Sequence, residues 1–130
     1  MKGKTVQDKI NKLKELKLLF VDDEVSIQNA LSNILNNLQV NFFIAADGEE
    51  ALKILEENKD INFVITDINM PNMNGLQLIE EIQKNYKNIE FIILSAHSET
   101  PYLKRANSLN IKGYLVKPMD IIKLINTIVD

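Results

Sequence analysis

Five short apolar runs constrain this chain more than any other feature: Leu18–Val21, Phe42–Ala45, Phe63–Thr66, Phe91–Leu94 and Tyr114–Val116. Each is continuous instead of alternating, the pattern of strands covered on both faces of a parallel sheet. Between them, apolar residues recur at helical spacing: Ile27, Ala30, Leu31, Ile34, Leu35 and Leu38, then Ala51, Leu52 and Leu55, then Leu76, Ile79 and Ile82. In the fourth interval, "SETPYLKRANSLN", Ser98 suits an N-cap, Pro101 an early helical turn, and Asn110 a left-handed residue after the helix ends. A last helix is expected from about Asp120 to the terminus. The β-α alternation predicts an α/β sheet with right-handed crossovers, and 130 residues suffice for one domain.

The chain has no cysteine and a single histidine, His97, which excludes disulfides, thiolate chemistry and His-rich zinc sites. Any metal must be held by carboxylates. A net charge of -3 with dispersed lysines argues against direct nucleic-acid contact. No apolar run nears the roughly 18 residues of a membrane span, and the first twenty residues lack a signal-peptide core, so a cytoplasmic protein with no membrane role is expected. Before the first strand, Val6, Ile10 and Leu13 form one stripe among lysines. Residues 1–16 are therefore set apart as an N-terminal extension, a solvated helix or linker, with a partner-binding helix as the alternative; residues 17–130 form the domain.

In such sheets ligands sit beyond the carboxyl ends of the strands. The first strand runs into Asp22, Asp23 and Glu24 in "LLFVDDE", and the third into Asp67 in "FVITDINMPNMNG". If those strands are neighbours, the acids converge, and two unit charges ~4 Å apart repel by ~4 kcal/mol at an effective dielectric near 20. Something positive has to sit among them. One candidate is a hard divalent cation such as Mg²⁺, which suits oxygen-only ligands. The other is Lys117, which ends the fifth strand in "GYLVKP", followed by Pro118, whose peptide bond is of the one type that readily becomes cis. The fourth strand ends in "FIILSAHS", presenting the Ser95 hydroxyl at the same edge. A carboxylate nucleophile, oxygen-ligated metal, hydroxyl and ammonium make a phosphoryl-transfer site with Asp67 as acceptor.

In this order and spacing, "VDDE", "VITDINMPNMNG", "LSAH" and "GYLVKPMD" resemble the receiver domain of bacterial two-component response regulators, over about residues 17 to 130. The resemblance implies a flavodoxin-like three-layer sandwich, a five-stranded parallel sheet in order 2-1-3-4-5 with five helices. It implies that Asp67 takes a phosphoryl group from the phosphohistidine of a histidine kinase or phosphotransfer protein. Mg²⁺ (or Mn²⁺) would be ligated by Asp23, Asp67 and the backbone carbonyl of Asn69, with Asp22 acting through a metal-bound water. Lys117 would contact the acyl phosphate, and Ser95 with Tyr114 would match the family's switch pair, reporting to a downstream protein through the helix-4, strand-5, helix-5 face. Asn69 and His97 fall at positions expected to tune hydrolysis lifetime, and homodimerisation on phosphorylation is a further expectation. Switching of this kind is a population shift, which requires the phosphoryl group to favour one conformer. The implied role is regulatory, with self-catalysed phosphotransfer and autodephosphorylation in place of metabolite turnover.

Plainer roles stand beside these. Asp67 alone reads as a turn-opening acid, Tyr114 as strand core, His97 as a loop residue, and Gly75 and Gly113 as backbone geometry. An aspartate-nucleophile phosphohydrolase would want a second Asp near the nucleophile and a substrate cap, whereas residue 69 is Asn and no cap-sized insertion exists. A nucleotide-binding fold is disfavoured because "VDDEVS" follows the first strand in place of a Gly-rich cradle. A degenerate receiver acting only as a protein-binding module runs against the full set of Asp22, Asp23, Asp67, Ser95 and Lys117. No output segment follows Asp130, so a stand-alone relay and a receiver excised from a larger regulator are both open.

Overall fold

All five apolar runs become strands, four of them extended by one residue at one or both ends: β1 (Lys17–Val21), β2 (Asn41–Ala45), β3 (Phe63–Thr66), β4 (Glu90–Ser95) and β5 (Gly113–Val116). The computed structural model describes residues 5–96 and 100–130; His97 and Ser98, and with them the tuning role expected of His97 and the N-cap expected of Ser98, lie outside those residues. The strands form one parallel sheet in the order β2-β1-β3-β4-β5. The three inner strands are buried almost throughout, as continuous apolar runs require. The edge strands β2 and β5 are only half-buried, because an edge has a neighbour on one side alone.

Successive side chains on a strand point to opposite faces, and the two cores divide accordingly. Leu19, Val21, Val64 and Ile93 meet α3 (Gly48–Glu57), α4 (Gly75–Asn85) and α5 (Thr100–Ser108) through Leu55, Ile79, Ile82 and Ala106. Leu18, Phe20, Ile65 and Ile92 meet α1 (Val6–Lys14), α2 (Val25–Asn37) and α6 (Ile121–Val129) through Leu13, Leu31, Leu35, Leu124 and Ile128. This is the expected three-layer sandwich. Pro101 falls in the first turn of α5, Asn110 adopts φ 60°, and Asp120 caps α6 by accepting from the amides of Ile122 and Lys123.

The described residues hold six helices, one more than the five of the core domain. The additional one is α1, the segment that three apolar positions left between helix and linker. Its start is fixed by a capping box, the Thr5 hydroxyl accepting from the Asp8 amide and the Asp8 carboxylate from that of Thr5. Leu13 is fully buried and Lys9 Nζ donates to Asn126 Oδ1 at 2.6 Å, so α1 packs as part of the outer layer beside α6.

Candidate functional site

The sheet ladder continues one rung beyond its strands, and those last rungs carry the chemistry. The Asp22 amide donates to the Ala45 carbonyl (3.0 Å), that of Asp67 to Val21 (3.0 Å) and that of Lys117 to Ser95 (2.6 Å). Because β1 and β3 are neighbours in register, Val21 beside Thr66, the acids that follow them meet. Lys117 crosses from β5 to join them, its Nζ lying 2.8 Å from Asp22 Oδ2, 3.3 Å from Asp67 Oδ2 and 3.3 Å from Glu24 Oε1. The Lys117, Asp22 and Asp67 side chains are 10%, 7% and 7% exposed, so their charges interact with little screening by water. Lys117–Pro118 is a cis peptide.

Asp22 and Asp67 are each also held by neighbouring groups. Asp22 Oδ1 accepts from the Glu24 amide (2.9 Å), and the Asp22 carbonyl from Gln28 Nε2 (2.7 Å). Asp67 Oδ1 accepts from the Ile68 amide (2.8 Å), and the Asp67 carbonyl from Thr66 Oγ1 (2.9 Å). Burial, with the Asp22 charge alongside, pushes the Asp67 carboxyl above its ordinary value against the opposing pull of Lys117. Burial draws the Lys117 ammonium down, but its hydrogen bond to Asp22 and the neighbouring carboxylates more than reverse this, so Lys117 titrates above its ordinary value.

Asp22, Glu24 and Asp67 bring carboxylate oxygens within 4.8 Å of one another. Three negative charges face one ammonium, and all the donors are hard oxygens, so the residues suit a divalent cation of the Mg²⁺ type. Ser95 is fully buried, and its Oγ has no hydrogen-bond partner among the described residues, an unusual state for a buried hydroxyl.

The sequence-expected residues thus separate into groups. Asp22, Asp67 and Lys117 come together in the pocket, and Ser95 ends the strand beside β5. Asp23 and Asn69 are exposed, and Asp23 lies outside the cluster of carboxylate oxygens. Tyr114 is half-buried on β5 against the core that contains Ile93 and Ala106. Glu24 is among the acids that the sequence places at this edge but carries no assigned role there, and Thr66 is not singled out at all. Their only signals were the third acid in "DDE" and a hydroxyl directly preceding the candidate acceptor.

A family model described as "Response regulator receiver domain" matches residues 18–129. A probable chemotaxis protein CheY of Rhizobium etli is 35% identical over 113 residues, covering 85% of this chain and 87% of that protein. A chemotaxis protein CheY homolog of Campylobacter jejuni is 33% identical over 106 residues, covering 79% and 82%. Among solved structures, the CheX-CheY-BeF3-Mg complex of Borrelia burgdorferi superposes with a TM-score of 0.82 at 29% identity, covering 92% of this chain and 95% of the matched one.

Proposed function

Because the chain belongs to the response regulator receiver family, whose members are regulatory, we propose that it is a phosphorylatable switch with Asp67 as the acceptor. The observation that carries this is a buried Asp67 whose Oδ2 lies 3.3 Å from the Lys117 ammonium at the joined ends of β1, β3 and β5.

In the proposed reaction a carboxylate oxygen of Asp67 attacks the phosphorus of a phosphohistidine presented by a histidine kinase or phosphotransfer protein. A P–O bond forms, the P–N bond breaks, and the leaving imidazole nitrogen takes a proton. Lys117 transfers its attraction from the carboxylates to the phosphoryl oxygens, and the buried Ser95 hydroxyl donates to one of them. Either contact favours the phosphorylated conformer, as a population shift requires. Asp22, Asp23, Asp67 and the Asn69 carbonyl would hold Mg²⁺ or Mn²⁺, with Asp22 acting through a water. When bound, that cation supplies neutralisation of the phosphoryl charge. Ser95 and Tyr114 would relay the state to the α5-β5-α6 face, where a downstream protein or a second copy binds, and Asn69 and His97 would set the lifetime of the acyl phosphate. The Borrelia relative was captured with CheX, beryllofluoride and Mg²⁺, which supports the same ligand classes here. The setting proposed is cytoplasmic; no described helix is long and apolar enough to cross a membrane.

The test is phosphorylation by acetyl phosphate with and without Mg²⁺, read by intact mass on wild type and Asp67→Asn. A Mg²⁺-dependent adduct absent from the variant is expected. No adduct under any donor would sink the switch and favour a degenerate receiver that only binds protein.

A further inference from the structure

Gly75 opens α4 immediately after its Asn74 cap, and there the helix backbone reaches the main chain of the acceptor. A β-carbon on Gly75 would fall 2.1 Å from the Asp67 carbonyl oxygen, 3.0 Å from the Asp67 carbonyl carbon and 3.1 Å from Ile68 Cα. All three are backbone atoms, so no rotamer change can relieve the overlap. No glycine among the described residues has positive φ, so what the position demands is space and not a left-handed conformation. The Gly75 amide also donates to the Ile68 carbonyl at 2.9 Å, tying the helix start to the acceptor loop.

Gly48 provides an internal contrast. It likewise opens a helix, α3, directly after a capping Asp47, but its β-carbon would meet the side chain of Met73, with Sδ at 2.9 Å, Cβ at 3.2 Å and Cγ at 3.3 Å. The Met73 thioether can turn aside, leaving only its Cβ to give by a few tenths of an ångström, whereas the backbone of Asp67 stands roughly 1 Å too close.

Building on the phosphoacceptor reading above, we propose that Gly75 is a positioning residue for Asp67: its missing side chain lets α4 seat against the acceptor's carbonyl and so fixes the carboxylate relative to Lys117. Restoring an ordinary C···O contact of about 3.3 Å requires a shift of roughly 1 Å. The loop cannot absorb that shift silently, because the Ile68 amide grips Asp67 Oδ1 and the Asp67 amide is bonded to Val21. Moving the main chain therefore moves the carboxylate. A misplacement of about 1 Å can cost on the order of 10²-fold in rate.

Wild type, Gly75→Ala and Gly48→Ala of the whole 130-residue chain would be compared in three measurements. These are the amide shifts of Asp67 and Ile68 in metal-free protein, Mn²⁺ affinity by paramagnetic line broadening, and the rate of Mg²⁺-dependent labelling across a range of acetyl phosphate concentrations. For Gly75→Ala the expectation is displaced amide shifts, Mn²⁺ binding weakened about 10-fold, and a maximal labelling rate lowered about 10- to 100-fold. Gly48→Ala should match wild type in all three. If Gly75→Ala is poorly folded, the three measurements are repeated for every protein in trimethylamine N-oxide, which favours the compact state. A folded Gly75→Ala with wild-type Mn²⁺ affinity and labelling, whatever its stability, overturns the positioning role and leaves the acceptor reading intact. A wild type that neither binds Mn²⁺ nor takes label overturns both.

Discussion

Lysine meets carboxylate at both ends of the sheet. At the amino end, Lys17 pairs with Asp60 at 2.5 Å and Lys112 approaches Glu90 at 3.7 Å, one cation to one acid, with the acids 66% and 60% exposed. At the carboxyl end, one nearly buried ammonium serves Asp22, Glu24 and Asp67 together. Exposed pairs of the first kind contribute little, since water screens them and their side chains lose entropy in pairing. The second kind stores a conflict: two carboxylates withdrawn from water, a third at the rim, and a single cation among them. The same two functional groups therefore staple one end of the sheet weakly and leave the other with an excess of negative charge.

Removing the shared cation should separate the two ends most. Lys117→Met leaves Asp22 and Asp67 without their counter-charge, and urea unfolding in metal-free buffer should register a loss on the order of 2 kcal/mol, below the 3–5 typical of a fully enclosed pair because the three side chains keep 7–10% exposure and Glu24 is 54% exposed. Added Mg²⁺ should restore part of it by binding only the folded state. An unchanged unfolding midpoint would mean that the carboxyl end is as well solvated as the amino end.

A smaller effect, of opposite sign, is expected from Asp67→Asn. Burial raises the Asp67 carboxyl above its unfolded value, so its contribution to stability is fully present below the unfolded value and is lost as pH rises through the folded one. At neutral pH the charged Asp67 therefore opposes folding of the metal-free protein, and the variant should melt higher. Thermal scans should show the gap opening across the mildly acidic range and then holding constant to pH 7. A variant that melts lower at pH 7 would show that the attraction of Lys117 outweighs burial.

The smallest effect belongs to the amino end. Lys17→Ala should leave the urea midpoint almost unmoved, and whatever change it makes should shrink in high salt. A loss as large as that of Lys117→Met would erase the distinction between the two ends.

Much of this was legible in the chain. Continuous apolar runs gave the strands nearly to the residue, and the edge strands departed from full burial only because runs such as Phe42–Ala45 do not reveal which strands lack a second neighbour. Ala30, read as part of the apolar face of α2, is exposed, as a small residue on the flank of a helix can be without cost. Residues 5–15 illustrate the opposite limit. Three apolar positions did not decide between helix and linker, whereas the Thr5–Asp8 capping box and the burial of Leu13 against the α6 layer did.

By itself, the sequence determined which side chains arrive at the carboxyl ends of the strands, because strand order along the chain and the residue after each apolar run are local facts. Asp22, Asp67, Ser95 and Lys117 were all placed at that edge on those grounds. Only the tertiary structure decided how they stand toward one another. It put Glu24 inside the cluster and Asp23 outside it, left Ser95 Oγ without a partner among the described residues, and pressed the start of α4 against the Asp67 carbonyl. Those relations join residues as far as 95 positions apart through the β1-β3-β4-β5 order, and distances across a sheet are set by packing and topology, which no local pattern records.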